Sequence, residues 1–192
     1  MAGYSQSIAG LPGYSSGTFT NSGAAALLTV NTPSDTTLGP VIAGNLSLAK
    51  TGTAVFAVGF GTNLRYSGNT QIDGGVLRLD HNSGDTGVST YSLPGTVTLN
   101  GGTLRFNHTG PGYYNPTLTF TSPIAVTAVG GTIDFSGGAN GFTLTMPPIT
   151  LGGDLTVSGV TGNPGVLYDM LNTLTLTASV AITNATGATY SH

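Results

Sequence analysis

The sequence predicts an all-β chain coiled as a β-solenoid of roughly seven coils, because one short pattern recurs along it. A glycine pair precedes an alternating strand-like run at four places, which begin at positions 74, 101, 130 and 152. These starts lie 27, 29 and 22 residues apart, which is typical of a repeat that stacks coil on coil. Thr and Gly, with 32 and 31 copies, dominate the composition, and β-branched Thr favours strands.

Alignment of the four copies separates an apolar face from a mostly polar one. Successive side chains of a strand point to opposite faces, so every second residue shares a face. The predicted inward columns are Leu77, Leu104, Ile133 and Leu155, followed by Leu79, Phe106, Phe135 and Val157. Strands of neighbouring coils lie about 4.8 Å apart, so we expect Arg105 to lie directly over or under Asp134. Together with Arg78 they are predicted to form a ladder of solvated, mutually neutralising charges.

The other elements, taken in order, are strands separated by turns. Residues 1–23 show no sustained period and predict an irregular leader or cap, whereas 24–192 predict a single solenoid domain. Alternation with β-branched residues predicts further strands at Ala26–Asn31, Asn45–Leu48, Thr96–Leu99, Thr117–Thr121, Ile124–Val129, Phe142–Met146, Leu174–Thr177 and Val180–Thr183. An antiparallel β-sandwich is the alternative for many short strands, but it does not require copying of the pattern over about 20 to 30 residues.

Charge and cysteine content exclude several classes of function. The chain has four Lys or Arg and seven Asp, for a net charge of −3. Four scattered cations supply no basic patch, so we expect no nucleic-acid partner. No apolar run approaches the roughly 20 residues of a membrane-spanning helix. The lack of cysteine excludes disulfides and thiolate metal sites.

Residues 45–80 contain a series of short elements in a characteristic order. Leu48-Ala49-Lys50-Thr51-Gly52 is followed by an apolar strand, the turn Tyr66-Ser67-Gly68-Asn69-Thr70, and the strand Gly75-Val76-Leu77-Arg78-Leu79. This series resembles the autotransporter-associated β-strand repeat, with a slight departure in the spacing around Lys50. The resemblance implies a right-handed parallel β-helix from a large bacterial surface or secreted protein. Such repeats are mostly spacers and adhesive stalks, which implies an extracellular or cell-surface location.

One loop has the character of a cation site. Asp80, Asn82 and Asp85 place oxygen ligands close together, as a calcium loop does. However, Tyr91 stands where the EF-hand pattern needs an acidic ligand. We therefore predict no cofactor. If the chain binds a cation, calcium is the candidate.

Two pairs of residues are candidates for other chemistry. His81 and His108 follow equivalent strands, so we expect them to lie near one another at turns on one edge of the stack. Two solvated turn histidines are one interpretation, and a shared metal or acid–base site is the other. Tyr113 and Tyr114 are predicted to lie in a loop leaving the solenoid, where exposed tyrosines offer a large binding surface. A loop folded back over the coil edge is the alternative.

The sequence predicts a structural and adhesive module rather than an enzyme. It is interpreted as the stalk of an autotransporter-like protein or as a self-assembling extracellular filament subunit. Unpaired strand edges at the two ends of a solenoid favour end-to-end self-association or continuation into a longer chain. The alternative is a carbohydrate-binding or carbohydrate-cleaving solenoid, with a glycan or a host surface as partner and with His81, His108, Asp80 and Asp85 at its edge.

Overall fold

A computed structural model shows parallel strands stacked as a β-solenoid, which confirms the predicted fold class. The structure describes residues 1–10, 17–59, 63–81, 88–108, 117–135, 143–158, 167–169, 175–176, 182–185 and 189–191. Within these ranges the regular elements are strands, and the strand pairs are parallel. The antiparallel sandwich is therefore excluded.

The strands are short and follow one another around the walls of the solenoid. In chain order they are β1 (Gln6–Ile8), β2 (Thr18–Asn31), β3 (Thr36–Thr37), β4 (Val41–Thr51), β5 (Val55–Gly59), β6 (Leu64–Tyr66), β7 (Thr70–Ile72), β8 (Val76–His81), β9 (Val88–Tyr91), β10 (Val97–Leu99), β11 (Thr103–His108), β12 (Thr117–Phe120), β13 (Ile124–Val126), β14 (Gly131–Asp134), β15 (Thr143–Thr145), β16 (Ile149–Leu151), β17 (Leu155–Ser158), β18 (Leu167–Asp169), β19 (Thr175–Leu176), β20 (Ile182–Ala185) and β21 (Thr189–Ser191).

Three parallel sheets form the walls. The first sheet has the order β1-β2-β4-β7-β10-β13-β16-β19, with β6 also paired to β4. The second runs β3-β5-β8-β11-β14-β17-β20, and the third runs β9-β12-β15-β18-β21. From β7 onward, each turn therefore contributes one strand to each wall.

The solenoid has about five turns, slightly fewer than the roughly seven predicted. Five strands form the third sheet, so five turns have all three walls; nearer the N-terminus the third sheet has no described strand, and β2 and β4 contain 14 and 11 residues. These two strands pair along most of their length, with a register shift between Asn21 and Ala26. Each long strand thus occupies the place of more than one short strand, and the repeat length read from later copies does not apply there.

The segment 1–23, predicted as an irregular leader or cap, is partly regular. It contains β1 and the first six residues of β2. β1 pairs with residues Leu28–Val30 of β2 and is the end strand of the first sheet. The alternation that marks β2 as a strand is hidden in its first part because Thr, Asn, Ser and Gly outnumber apolar residues there.

The predicted inward columns form the core. Leu77 pairs with Leu104, and Leu104 pairs with Ile133. Leu79 pairs with Phe106, whose ring stacks on that of Phe135 with centroids 5.7 Å apart. All eight predicted inward side chains are at least 97% buried: Leu77, Leu79, Leu104, Phe106, Ile133, Phe135, Leu155 and Val157.

The fourth copy of the repeat is displaced by two residues from its predicted column. Leu155 pairs with Gly131, and the partner of Ile133 is Val157. The predicted stack of Leu155 on Ile133 is therefore wrong. Because side chains alternate with a period of two, an even displacement leaves Leu155 facing inward.

The glycine pairs lie at the corner between the first and second sheets. At Gly75 the backbone takes a φ of +59°, which favours glycine over other residues. At Gly102 a Cβ atom would lie 2.4 Å from the Cγ2 atom of Ile72 in the turn below. Glycine is required there because consecutive turns approach too closely for a side chain.

Among the described residues, no helix is long and apolar enough to cross a membrane.

Leu104→Asp is expected to abolish cooperative folding, because it places a carboxylate within an apolar column at a site that is 0% exposed. The expected loss is at least about 4 kcal/mol of unfolding free energy. Thr103→Asp is the matched control, since Thr103 lies on the opposite face of the same strand and is only partly buried. Thermal unfolding followed by circular dichroism measures both variants. Equal melting of Leu104→Asp and the parent would contradict the inward assignment.

Candidate functional site

The outer face of the second sheet carries a group of charged and amide side chains. We call Arg78, Asp80, Arg105, Asn107 and Asp134 the charged cluster. They lie on β8, β11 and β14, which are consecutive strands of that sheet. The register places Arg105 between Arg78 and Asp134 and places Asn107 beside Asp80. The alternation of each strand brings these residues together, because their neighbours in sequence point inward.

Hydrogen bonds join the cluster across the turns. The Nε and Nη2 atoms of Arg78 donate to the two carboxylate oxygens of Asp80 at 2.7 and 2.9 Å. The Nδ2 atom of Asn107 donates to Oδ1 of Asp80 at 2.6 Å. The Nε atom of Arg105 donates to Oδ2 of Asp134 at 2.7 Å. The predicted placement of Arg105 against Asp134 is thus confirmed.

The charged cluster is less solvated than predicted. The side chain of Asp134 is only 7% exposed, while that of Arg105 is 29% exposed. The guanidinium therefore shields the carboxylate from water, and the ladder is half-buried rather than solvated. Both oxygens of Asp80 and Oδ2 of Asp134 accept bonds within the cluster, and the bonds from Asn107 and Arg105 join neighbouring strands.

A second set of polar contacts runs along the corner between the first and second sheets. Gln71 Nε2 and Asn100 Nδ2 both donate to Oδ1 of Asp73, at 2.6 and 2.7 Å. Thr127 Oγ1 donates to Oδ1 of Asn100 at 2.7 Å. These bonds link three successive turns, so outward polar residues here also bind one another.

Lys50 is the charged side chain that sequence reasoning missed. It is 0% exposed and occupies an inward column, paired with Val30 on one side and Ile72 on the other. Its Nζ atom donates to the carbonyl oxygens of Thr51, Gly52 and Gly74 at 2.6, 3.2 and 3.0 Å. The strict alternation of β4 is the signal that could have found it, because it places Lys50 on the face of the inward leucines.

Burial has a direct electrostatic consequence for Lys50. It lowers the pKa of the ammonium below its ordinary value of 10.5, since the charged form loses its hydration. The three carbonyl oxygens that accept bonds from the ammonium replace part of that hydration. Through these bonds the side chain of Lys50 links the corner after β4, at Thr51 and Gly52, to the corner after β7, at Gly74.

The structure pairs the two histidines in register, and the side chain of His81 is not exposed. His81 and His108 pair in register as the last residues of β8 and β11. His81 faces inward, is 3% exposed, and packs edge-on against Tyr91 with ring centroids 5.5 Å apart. The prediction of turn positions is wrong, because both strands continue one or two residues further than their sequence pattern indicates.

The remaining candidates are only partly covered by the described structure. Asn82 and Asp85 of the calcium hypothesis, and Tyr113 and Tyr114 of the binding hypothesis, lie outside the described residues. Asp80 is described, and both of its carboxylate oxygens accept bonds within the charged cluster. Among the described residues, no group of three or more His, Asp or Glu side chains is placed to hold a metal ion.

Comparison with known proteins gives no match to a family model, to a curated protein or to a solved structure.

Arg105→Met is expected to lower the free energy of unfolding by about 1–3 kcal/mol, because nearly buried Asp134 loses its guanidinium partner. Arg78→Met is the matched comparison and is expected to cost less, since Asp80 is 18% exposed and keeps the bond from Asn107. Urea unfolding at low and at physiological salt measures both. An effect of Arg78→Met equal to or larger than that of Arg105→Met would contradict the shielding of Asp134.

Lys50→Met is expected to lower the free energy of unfolding by about 2–4 kcal/mol at pH 7, because three corner carbonyls lose their donor. Raising the pH should widen this difference. Once the pH exceeds the lowered pKa of folded Lys50, the unfolded chain binds a proton that the folded chain has lost, so the parent gains stability up to about pH 10.5.

Comparing the parent with Lys50→Met also removes the effect of tyrosine ionisation on stability. Burial raises the pKa of the Tyr66 phenol, so the unfolded chain loses that proton first and stability falls at alkaline pH. Tyr66 is present in both proteins, and its effect cancels in their difference. Urea unfolding between pH 7 and 10 measures that difference. A value independent of pH would contradict the lowered pKa of Lys50, and no loss of stability in Lys50→Met at pH 7 would contradict its role as a donor.

Proposed function

We propose that this chain is a structural and adhesive β-solenoid module, not an enzyme. It would serve as a stalk of an autotransporter-like protein or as a subunit of an extracellular filament, at the surface of a bacterium. The sequence resemblance of residues 45–80 to autotransporter-associated repeats supports the bacterial surface location. The shape of the repeat, a stack with one axis, supports a role as a spacer.

The observation that carries the proposal is that outward polar side chains bond to one another along the stack. The charged cluster spans three strands, and the corner ladder from Gln71 to Thr127 spans three turns. A catalytic site would instead direct several such groups at a common point where a substrate can bind. Contacts between turns resist separation of the turns, which is what a stalk requires.

The enzymatic alternative draws less support from the described residues. The carbohydrate hypothesis placed four residues at one edge: His81, His108, Asp80 and Asp85. Asp85 and the side chain of His108 lie outside what the structure describes. His81 is buried against Tyr91, and Asp80 is bound to Arg78 and Asn107. Glycan binding without cleavage needs no such groups, so adhesion stays part of the proposal.

Single-molecule pulling along the solenoid axis is expected to unfold the chain in steps. One turn of about 27 residues releases roughly 90–100 Å of extended chain, and each turn is held mainly by its two neighbours. Arg105→Met should lower the force of the step that separates β11 from β14, whereas Thr103→Ser should not. Unfolding of the whole chain in one event at low force would contradict a stalk.

The catalytic alternative is tested separately with a panel of polysaccharides. No release of reducing ends is expected from the parent protein, while binding to a glycan array is compatible with adhesion. Release of reducing ends that disappears in Asp80→Asn and persists in Asp73→Asn would overturn the proposal in favour of an enzyme.

A further inference from the structure

The corner between the first and second sheets contains an asparagine followed directly by a glycine, Asn100 and Gly101. In an Asn-Gly pair the side-chain amide is lost readily, because glycine has no side chain to hinder attack by its own backbone nitrogen. Asn100 is half-buried, so water reaches it. The stability of this amide therefore depends on how the corner holds the two residues.

The side-chain amide of Asn100 is held at both ends. Its Nδ2 atom donates to Oδ1 of Asp73 at 2.7 Å, and its Oδ1 atom accepts a bond from Oγ1 of Thr127 at 2.7 Å. A carboxylate only accepts, so Asp73 fixes which end of the amide faces it. The Thr127 hydroxyl is oriented as well, because it accepts a bond from the amide of Val129 at 3.3 Å. The Asn100 amide cannot rotate without breaking its bonds to two neighbouring turns.

The backbone on either side of this amide is also bound to neighbouring turns. The nitrogen of Gly101 donates to the carbonyl oxygen of Gly130 at 2.8 Å, and the nitrogen of Asn100 donates to that of Ile72 at 2.9 Å. Loss of the side-chain amide requires the Gly101 nitrogen to approach Cγ of Asn100, and therefore to leave its acceptor. The reaction thus requires a local opening of the corner.

We propose that Asn100 is a deamidation site that the closed corner protects, and that its conversion breaks the ladder of polar contacts between turns. When the corner opens, the nitrogen of Gly101 attacks Cγ of Asn100. Its proton passes to the departing amide nitrogen, which leaves as ammonia, and a cyclic imide forms. Water then opens the imide and leaves aspartate or its β-linked isomer. One water is consumed and one ammonia is released.

The product does not fit the ladder. A carboxylate at position 100 presents Asp73 with an acceptor in place of a donor, and like charges at adjacent positions repel. The β-linked isomer also adds a methylene group to the main chain, which moves the nitrogen of Gly101 away from Gly130. The corner then does not close as before, so an opening between these turns becomes permanent. This inference goes beyond the proposed stalk function and does not depend on it.

Peptide mapping by mass spectrometry measures the conversion of Asn100 during incubation at mildly alkaline pH. Conversion in the folded parent is expected to be at least about tenfold slower than in guanidinium chloride, because three bonds must break first. The Asn140-Gly141 pair lies outside the described residues and serves as the reference for the rate in denaturant. Equal rates at Asn100 in the folded and unfolded protein would overturn its protection by the corner.

Thr127→Val tests whether the ladder provides the protection. It removes one of the two partners of the amide and is expected to speed the conversion of Asn100 in the folded protein about fivefold or more. Thr98→Val is the matched control, because it removes a hydroxyl from a half-buried position of β10 on the same wall. If circular dichroism shows that Thr127→Val does not fold, Asp73→Ala takes its place, since it removes the other partner. Equal conversion in the ladder variant and in Thr98→Val would contradict the role of the ladder.

Asn100→Asp supplies the product directly. Urea unfolding is expected to show the equilibrium shifted roughly tenfold or more towards the unfolded chain at pH 7. Asp73→Asn/Asn100→Asp should recover most of that shift, because the amide and the carboxylate exchange places. An Asn100→Asp protein as stable as the parent, or no recovery in the double variant, would overturn the inference. The stalk function is tested separately, by pulling on a single unmodified copy.

Discussion

The in-register pairing of each turn with the next is the constraint on which the rest of the structure depends. Parallel strands about 4.8 Å apart place each side chain directly over its counterpart. Inside the solenoid, this arrangement requires each apolar side chain to lie over another apolar side chain, as Leu77, Leu104 and Ile133 do. Outside, it demands complementary polar groups, since like charges in adjacent positions repel. Arg105 lies between Arg78 and Asp134, and its bond to Asp134 offsets the contact with Arg78.

Lys50 shows how the same register accommodates an exception. An ammonium in an apolar column would be strongly unfavourable without acceptors. The side chain of Lys50 is long enough to reach the corner, where carbonyls of two successive turns converge. Gly75 approaches the same point, since a Cβ atom there would lie 2.8 Å from Nζ of Lys50. The lysine and the glycine pair at 74–75 therefore belong to one corner and are required together.

The sequence predicts the solenoid and its inward face because both depend on short-range periodicity. Side-chain alternation fixes the face of Leu155 but not its partner, since a displacement by two residues preserves the face. The same alternation predicts that Lys50 faces inward. It does not predict the three carbonyl oxygens that accept bonds from its ammonium and stabilise it there. Burial of Asp134 could not be predicted, because it depends on how the Arg105 side chain lies across the neighbouring turn. His81 faces inward because β8 extends through it, and strand ends are poorly marked in sequence.

A stack that satisfies its polar groups between turns leaves its unsatisfied groups at the ends. Thr36 illustrates this, because it lies in β3, the end strand of the second sheet, and its buried hydroxyl has no hydrogen-bond partner. The hydroxyl of Thr127, within the stack, donates to Asn100 of the preceding turn. The end strand of the second sheet therefore lacks the contacts with a further turn that satisfy such hydroxyls within the stack.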